Sequence, residues 1–318
     1  MAAAAESMNN GMSTVMTHSA FGKHAEESLR AVRDEAVRLE GLLSRFIPGS
    51  EISRINRSAG IKCERLSGET YEVLSRAVEF SRYSQGLFDV TIGPLVTLWS
   101  NGKDTCMPPE DSRIRQIIPL VDYTCLLLDS YKKTAGLQRI GQSIDLGGIG
   151  KGFAGDKFLE VFEKFSVSSA FTNIGGNVVA LGTKPDGSRW NVGIRHPRQN
   201  GCLIGAVSVT SKAVVTSGDY ERYFIDREGK RHHHILNPVT GYPAELGLVS
   251  VTIVADSAVT ADALSTIVFV AGIEKGKELL GNFPEAEAVL VDTELRVFVT
   301  QGLKECFQVI SGIKLNIL

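Results

Sequence analysis

The chain has 318 residues, enough for one large domain or two ordinary ones with ample core. Its 34 basic residues nearly balance 36 acidic ones, so nothing in the charge points to nucleic acid or an anionic membrane surface as a partner. The five cysteines (Cys63, Cys106, Cys125, Cys202, Cys306) are scattered, odd in number and never spaced C-x-x-C, which argues against a disulfide framework and a cysteine zinc site and for a reducing compartment.

No apolar run approaches the roughly 20 residues that span a bilayer, so no transmembrane segment is expected. The first residues, M-A-A-A-A-E-S-M, lack the charged region, apolar core and cleavage site of a secretory signal. Residues 1–11 read as an appended or disordered tail, with a native start at Met8 within it, and 12–318 as a single domain. As given, the sequence implies a cytoplasmic protein; a leader removed from this end would leave an extracytoplasmic place open.

In chain order, Leu29, Val32, Ala36, Leu39, Leu43 and Phe46 recur at helical spacing and predict a long amphipathic helix ending before Pro48 and Gly49. A second helix starts near Ser67, with Tyr71, Leu74 and Val78 on one face. Gly86–Trp99 has too many β-branched and turn residues for a clean helix and reads as a packed irregular segment, followed by a polar loop over 102–110. A strand over 142–146 leads into a helix that carries Phe158, Val161, Phe162 and Phe165 on one face. From Ala170 onward short β-type runs dominate: 170–173, 178–181, 190–195, 203–209, 213–216 and 248–254. Lys184-Pro185-Asp186-Gly187 is a turn, because Pro fixes φ and Gly accepts a positive one. Helices return over 260–270 and 274–280, then strands over 288–291 and 296–300. The expected fold class is α+β, with mixed, mostly antiparallel sheets packed with helices.

Three clusters bear on chemistry. Gly150–Gly155 fits G-x-G-x-x-G and opens a helix, yet the acid that a dinucleotide fingerprint needs about 20 residues on is replaced by Asn173, and no βαβ unit begins the chain. A glycine-rich turn at a helix N-terminus still makes an anion cradle. Asp262 and Thr266, four apart in T-A-D-A-L-S-T, place two hard oxygen donors on one helix face. They suit Mg²⁺ if carbonyls and phosphate complete the shell; the competing reading makes Asp262 a first-turn helix cap and Thr266 a surface residue. Finally, T-S-G-D-Y-E-R-Y-F (Thr216–Phe224), a turn over 226–229 and H-I-L-N-P-V-T-G-Y-P (His234–Pro243) put a histidine between short strands and a Pro/Gly-bounded loop, where a base can be held and aimed. His232 and His234 would share a strand face, so H-x-H could bind zinc, but no third ligand of fitting spacing accompanies them.

Seven segments in order resemble the ApbE family of Mg²⁺-dependent FAD:protein FMN transferases: Leu42–Asn56, Gly86–Val96, Ile144–Gly152, Asn173–Asn177, Thr216–Tyr220, His234–Gly241 and Ala261–Thr266. The resemblance runs from about Met12 to Gln308. It implies a metal site of Asp262, Thr266 and the Gly148 carbonyl. It implies FAD contacts at Met12, Leu87, Phe88, Asp89, Asp145, Lys151, Ser217 and Gly218, and a base at His234. Two departures stand out: the family's M-G-T appears here as Met12-Ser13-Thr14, and Asn237 stands where the family commonly has H-I-x-D-P.

The implied activity moves FMN from FAD to a Ser or Thr hydroxyl of an acceptor flavoprotein and releases AMP. Mg²⁺ and Lys151 would offset charge on the phosphates while His234 takes the hydroxyl proton. The nucleophile then lies in a second protein, and an open cleft is expected. Two alternatives use the same residues: a Mg²⁺-dependent FAD pyrophosphatase with water as nucleophile, and a non-catalytic FAD-binding protein.

Overall fold

The computed structural model describes residues 4–310 and 313–318, with the side chains of 103–105 outside that description. The described chain divides into two compact units, the first from Met1–Glu40, Ile149–Gly218 and Gly247–Leu318, the second from Gly41–Gly148 and Asp219–Leu246. Each is therefore discontinuous in sequence, where the sequence reading expected one domain.

The first unit is built on a nine-stranded sheet in the order β1 (Ala4–Gly11), β2 (Thr14–Phe21), β6 (Ser169–Ile174), β7 (Asn177–Leu181), β10 (Ala213–Gly218), β13 (Leu248–Ala255), β14 (Glu287–Asp292), β15 (Val297–Val299) and β17 (Leu315–Ile317). Every pairing is antiparallel except β15 with β17. Residues 4–11, expected as tail, form β1 because they pair along their whole length with β2, Ala4 opposite Phe21 and Gly11 opposite Thr14. Met12 and Ser13 close that hairpin with φ of 49° and 60°, two left-handed residues as a type I′ turn requires. A smaller sheet runs β16 (Phe307–Val309), β9 (Leu203–Val209), β8 (Trp190–Arg195). Inner faces of both sheets share one core, in which Val192, Ile194, Val207, Val214, Val254, Val291 and Phe307 are buried.

Helices α6 (Gly150–Lys164) and α7 (Ala258–Leu280) pack against this sheet and each other, with β13 buried along its entire length. The two helices expected over 260–270 and 274–280 are the halves of α7, parted where Gly272 takes φ 76°. Helix α1 (Ala25–Leu43) buries Leu29, Val32, Ala36, Leu39 and Leu43 as its periodicity predicts, whereas Phe46 lies past its end and is 74% exposed.

The second unit holds α2 (Glu51–Arg57), α3 (Gly68–Tyr83), α4 (Gly93–Thr105) and α5 (Asp111–Ile117), the sheet β3 (Glu64–Arg65), β5 (Thr134–Leu137), β4 (Leu126–Asp129), and the hairpin β11 (Tyr223–Ile225), β12 (Arg231–His233). Ser67 caps α3 by accepting from Thr70 N, and its buried face is Val73, Leu74, Ala77 and Phe80 rather than the Tyr71–Val78 side. The segment expected to be irregular over 86–99 becomes helical at Gly93, because Pro94 occupies the first turn, where no N–H is needed. That helix runs into the expected polar loop as far as Thr105. Leu95, Trp99, Ile114 and Leu236 form the core of this unit, and Trp99 Nε1 donates to the Gly241 carbonyl at 2.8 Å.

Candidate active site

In the first unit the predicted residues gather at the start of α6. Asp262, 3% exposed, accepts at Oδ2 from the Gly152 amide (2.8 Å) and at Oδ1 from Asn177 Nδ2 (3.0 Å), and the Lys151 ammonium lies 3.7 Å from Oδ1. Gly152 is the third residue of α6, so its amide has no partner within the helix. The buried carboxylate supplies that partner and sits where the helix dipole favours negative charge. The helix N-terminus predicted as an anion cradle is thus filled in part by the protein's own anion.

The glycines of G-K-G-F-A-G serve packing. A Cβ on Gly152 would lie 2.2 Å from the Ala258 carbonyl oxygen and 2.7 Å from Asp262 Cβ, and one on Gly155 would meet Val179 at 2.7 Å. The absence of side chains there lets α6 approach α7 closely enough for Gly152 N to reach Asp262. The capping role once open to Asp262 belongs elsewhere. Ser257 is the N-cap of α7, and Asp156 accepts from Ser257 Oγ and from the Ala258 and Val259 amides. Burial pushes the Asp156 carboxyl above the ordinary range, against these hydrogen bonds that lower it.

Asn177 was not singled out from the sequence, although N-I-G-G-N carried the signal. Gly175 and Gly176 (φ 58° and 101°) form the two-residue turn between β6 and β7, and Asn177 follows it opposite Ile174. The hairpin delivers the amide to Asp262. Thr266 is the one residue from Thr260 to Ala271 that is not buried. Ser265 Oγ donates to the Asp262 carbonyl (2.8 Å) and shares a hydrogen bond with Ser217 Oγ (2.8 Å), which ties the end of β10, Ser217 and Gly218, to the same turn of α7. Met12 lies apart from this group at the β1–β2 turn, its amide donating to Glu40 Oε1 at 2.9 Å.

The donor set fits a hard divalent cation. A carboxylate offers about four lone-pair sites, so two N–H donors leave Asp262 with capacity for a metal, and the Thr266 hydroxyl one turn on is an oxygen of the kind Mg²⁺ prefers. Among the described residues no three His, Cys, Asp or Glu side chains gather as a cage, so such a cation relies on hydroxyl, carbonyl and ligand oxygens around Asp262.

The second unit carries the remaining predicted residues. Residues 142–146, expected as a strand, make only a single bridge, Ser143 to Ile92. Asn56 replaces a strand neighbour, accepting from Ile144 N (2.7 Å) and donating to Ile144 O (3.0 Å), while Asp145 N donates to Val90 O. Asp145 Oδ2 pairs with Arg45 Nη1 at 2.7 Å and Oδ1 takes the Gly147 amide, which shapes the turn that leads through Gly148. Arg45 also donates to Thr97 Oγ1. Neither Arg45 nor Asn56 was given a role from sequence. Leu87 is partly exposed; Phe88 and Asp89 are buried. The Asp89 carboxylate is committed internally, Oδ1 to Thr91 N and Oγ1 and Oδ2 to Tyr123 N, and burial raises its pKa.

The three histidines separate by environment. His232 is buried with Nε2 2.7 Å from Asp226 Oδ2, stacked on Phe224 and packed on Trp99. His233 is buried with Nε2 on the Ala244 carbonyl, and desolvation lowers its pKa. Of the H-x-H pair, His232 thus has its Nε2 committed to Asp226. His234, just past β12, is the exposed one, with Nδ1 3.1 Å from the Arg222 carbonyl. Beyond it, Asn237 Oδ1 accepts from Val239 N and Thr240 N, and Tyr242 O accepts from Asn237 N. The side chain at 237 builds the N-P-V-T-G-Y-P turn, a task an amide performs as well as a carboxylate.

The profile of the ApbE family matches residues 12–290. The chain is 34% identical over 312 residues to the FAD:protein FMN transferase of Treponema pallidum (strain Nichols), covering 92% of this chain and 85% of that protein. It is likewise 34% identical to one from Klebsiella pneumoniae (strain 342), covering 80% and 78%. Among solved structures, the ApbE protein of Thermotoga maritima superposes with a TM-score of 0.88 at 30% identity, over 96% of this chain and 99% of that one. The apo flavinyl transferase ApbE of Pseudomonas stutzeri gives 0.84 at 28% identity, over 96% and 97%.

Proposed function

The chain belongs to the ApbE family and is a transferase, and we propose that it moves FMN from FAD to a Ser or Thr hydroxyl of a second protein in a Mg²⁺-dependent reaction that releases AMP. The observation that carries the reading is the buried Asp262 carboxylate, held by Gly152 N and Asn177 Nδ2 with Lys151 beside it, in a chain whose relatives are named for this transfer. A site meant only to store flavin needs no base such as His234.

Asp262, Thr266 and the Gly148 carbonyl would hold Mg²⁺, which when bound offsets the charge on the FAD phosphates. Lys151 contributes a second positive charge on the first turn of α6. Ser217 braces the α7 turn that carries Asp262, with Gly218 next to it on β10, and Asp145, fixed by Arg45, shapes the loop that carries Gly148. His234, exposed on its hairpin, takes the proton of the incoming hydroxyl. The hydroxyl oxygen bonds to the FMN phosphorus, the bond to the AMP side breaks, and AMP departs with the bridging oxygen. Met12, Leu87, Phe88 and Asp89 are assigned to flavin binding by family position.

The test pairs the enzyme, FAD and Mg²⁺ with an acceptor bearing the exposed motif D-G/S-x-T/S-G/A-A/S-T/S, and with the same acceptor whose final Thr is replaced by Val. Denaturation-resistant flavin is expected on the first alone. Flavin on both, or on the enzyme, refutes transfer to that hydroxyl.

A further inference from the structure

The geometry points to His234 as an Nδ1–H tautomer fixed by the Arg222 carbonyl, so that Nε2 is the atom that accepts the proton; this rests on the proposed transfer reaction. Tyr223 pairs with His233, Phe224 with His232 and Ile225 with Arg231, which places Arg222 opposite His234 one step past the last ladder pair. The His234 amide accordingly donates to Arg222 O at 3.0 Å, and the His234 ring nitrogen Nδ1 lies 3.1 Å from that same oxygen. A carbonyl oxygen only accepts, so Nδ1 carries the hydrogen and the lone pair resides on Nε2.

This orientation is inherited from the backbone and reinforced at the other end of the hairpin. Asp226 Oδ1 accepts from Glu228 N and Lys230 N, shaping the turn, and Oδ2 bonds His232 Nε2. His232 is in turn held with ring centroids 5.1 Å from Phe224 and 5.5 Å from Trp99. The register of β11 on β12, and with it the position of the Arg222 carbonyl, is thus pinned by a buried side-chain pair two residues from the base. The neutral imidazole of free histidine favours the hydrogen on Nε2, so the hairpin selects the minor tautomer and thereby turns the outer nitrogen into the basic one. His234 is the catalytic residue; the Arg222 carbonyl and His232 with Asp226 are positioning groups.

Long-range ¹H–¹⁵N correlation of ¹⁵N-histidine-labelled protein at alkaline pH reads the tautomer directly, with His234 assigned by the signals missing in His234→Gln. The expected pattern is a protonated Nδ1 and an unprotonated Nε2; a protonated Nε2 overturns the inference. Because no FAD or acceptor is present, that reading is independent of whether transfer occurs. A second arm replaces His234 by its two ring-methylated analogues and measures transfer. Methylation at Nε2 should cost about 10²-fold or more, and methylation at Nδ1, which leaves the Nε2 lone pair, should cost clearly less. The reverse order would assign the base to Nδ1.

Discussion

The acid sensitivity of the first unit should be dominated by His18, a residue remote from catalysis. It is 1% exposed, with Nδ1 2.6 Å from Thr172 Oγ1 and Nε2 3.0 Å from Asn9 Oδ1, and its ring packs edge-on to Phe158. Burial, with a smaller contribution from the Arg33 charge, lowers its pKa from 6.5 to about 4. The folded state therefore prefers the neutral ring, and stability present above pH 6.5 is lost as pH falls toward about 4 and the unfolded chain binds the proton first. At pH 5 the unfolded histidine is almost wholly protonated and the folded one about a tenth so. The linkage term is then about RT ln 30, or about 2 kcal/mol lost between pH 7 and pH 5. Asp89 and Asp156, raised by burial, act in the opposite sense, and comparison with a His18→Gln variant cancels them. At pH 7 the variant should be less stable by about 1–3 kcal/mol for its disturbed buried hydrogen bonds. By pH 5 that gap should close by about 2 kcal/mol. Urea denaturation followed by circular dichroism at both pH values measures it. Parallel pH profiles for the two proteins would refute the argument.

Three further outcomes are expected. Asp262→Asn must turn an amide N–H toward either Gly152 N or Asn177 Nδ2, because both carboxylate oxygens accept N–H donors; it should cost about 1–3 kcal/mol in stability and lower transfer at limiting Mg²⁺ by about 10²-fold, and unchanged turnover in folded variant would contradict the metal assignment. His234→Ala should slow transfer by roughly 10²- to 10⁴-fold with FAD binding retained, while His232→Ala and His233→Ala, which lose buried partners, should lower the urea midpoint more than the rate per folded molecule; equal small rate effects at all three would place the base elsewhere. Gly152→Ala drives a methyl against the Ala258 carbonyl and Asp262 Cβ, so about 3 kcal/mol or more should be lost, and a midpoint shift worth less than about 0.5 kcal/mol would show that α6 and α7 separate freely.

What was legible in the sequence was local. Ser67 announced α3, periodicity gave α1, and the strands over 190–195 and 203–209 came out with their observed bounds. The short α2 escaped because seven residues after Pro48 and Gly49 show no period, although Ser50 caps it. The span over 142–146 looked like a strand because it is extended, but its partner is the Asn56 side chain, which no pattern of alternation reveals. The division into two units rests on contacts between segments that are discontinuous in the chain, and so left no trace in composition. At the site, Asp262 and Lys151 stood out through motif order. Asn177 and Arg45 did not, because an amide or guanidinium that orients another side chain has no spacing signature of its own.

Following one reaction for two products at once separates transfer to protein from hydrolysis. With enzyme, FAD, Mg²⁺ and an excess of acceptor, intact-mass measurement of the acceptor and quantitation of free AMP should show one FMN-bearing acceptor for every AMP released, with the enzyme's own mass unchanged. AMP accumulating together with free FMN while the acceptor keeps its mass would identify water as the nucleophile and contradict protein flavinylation.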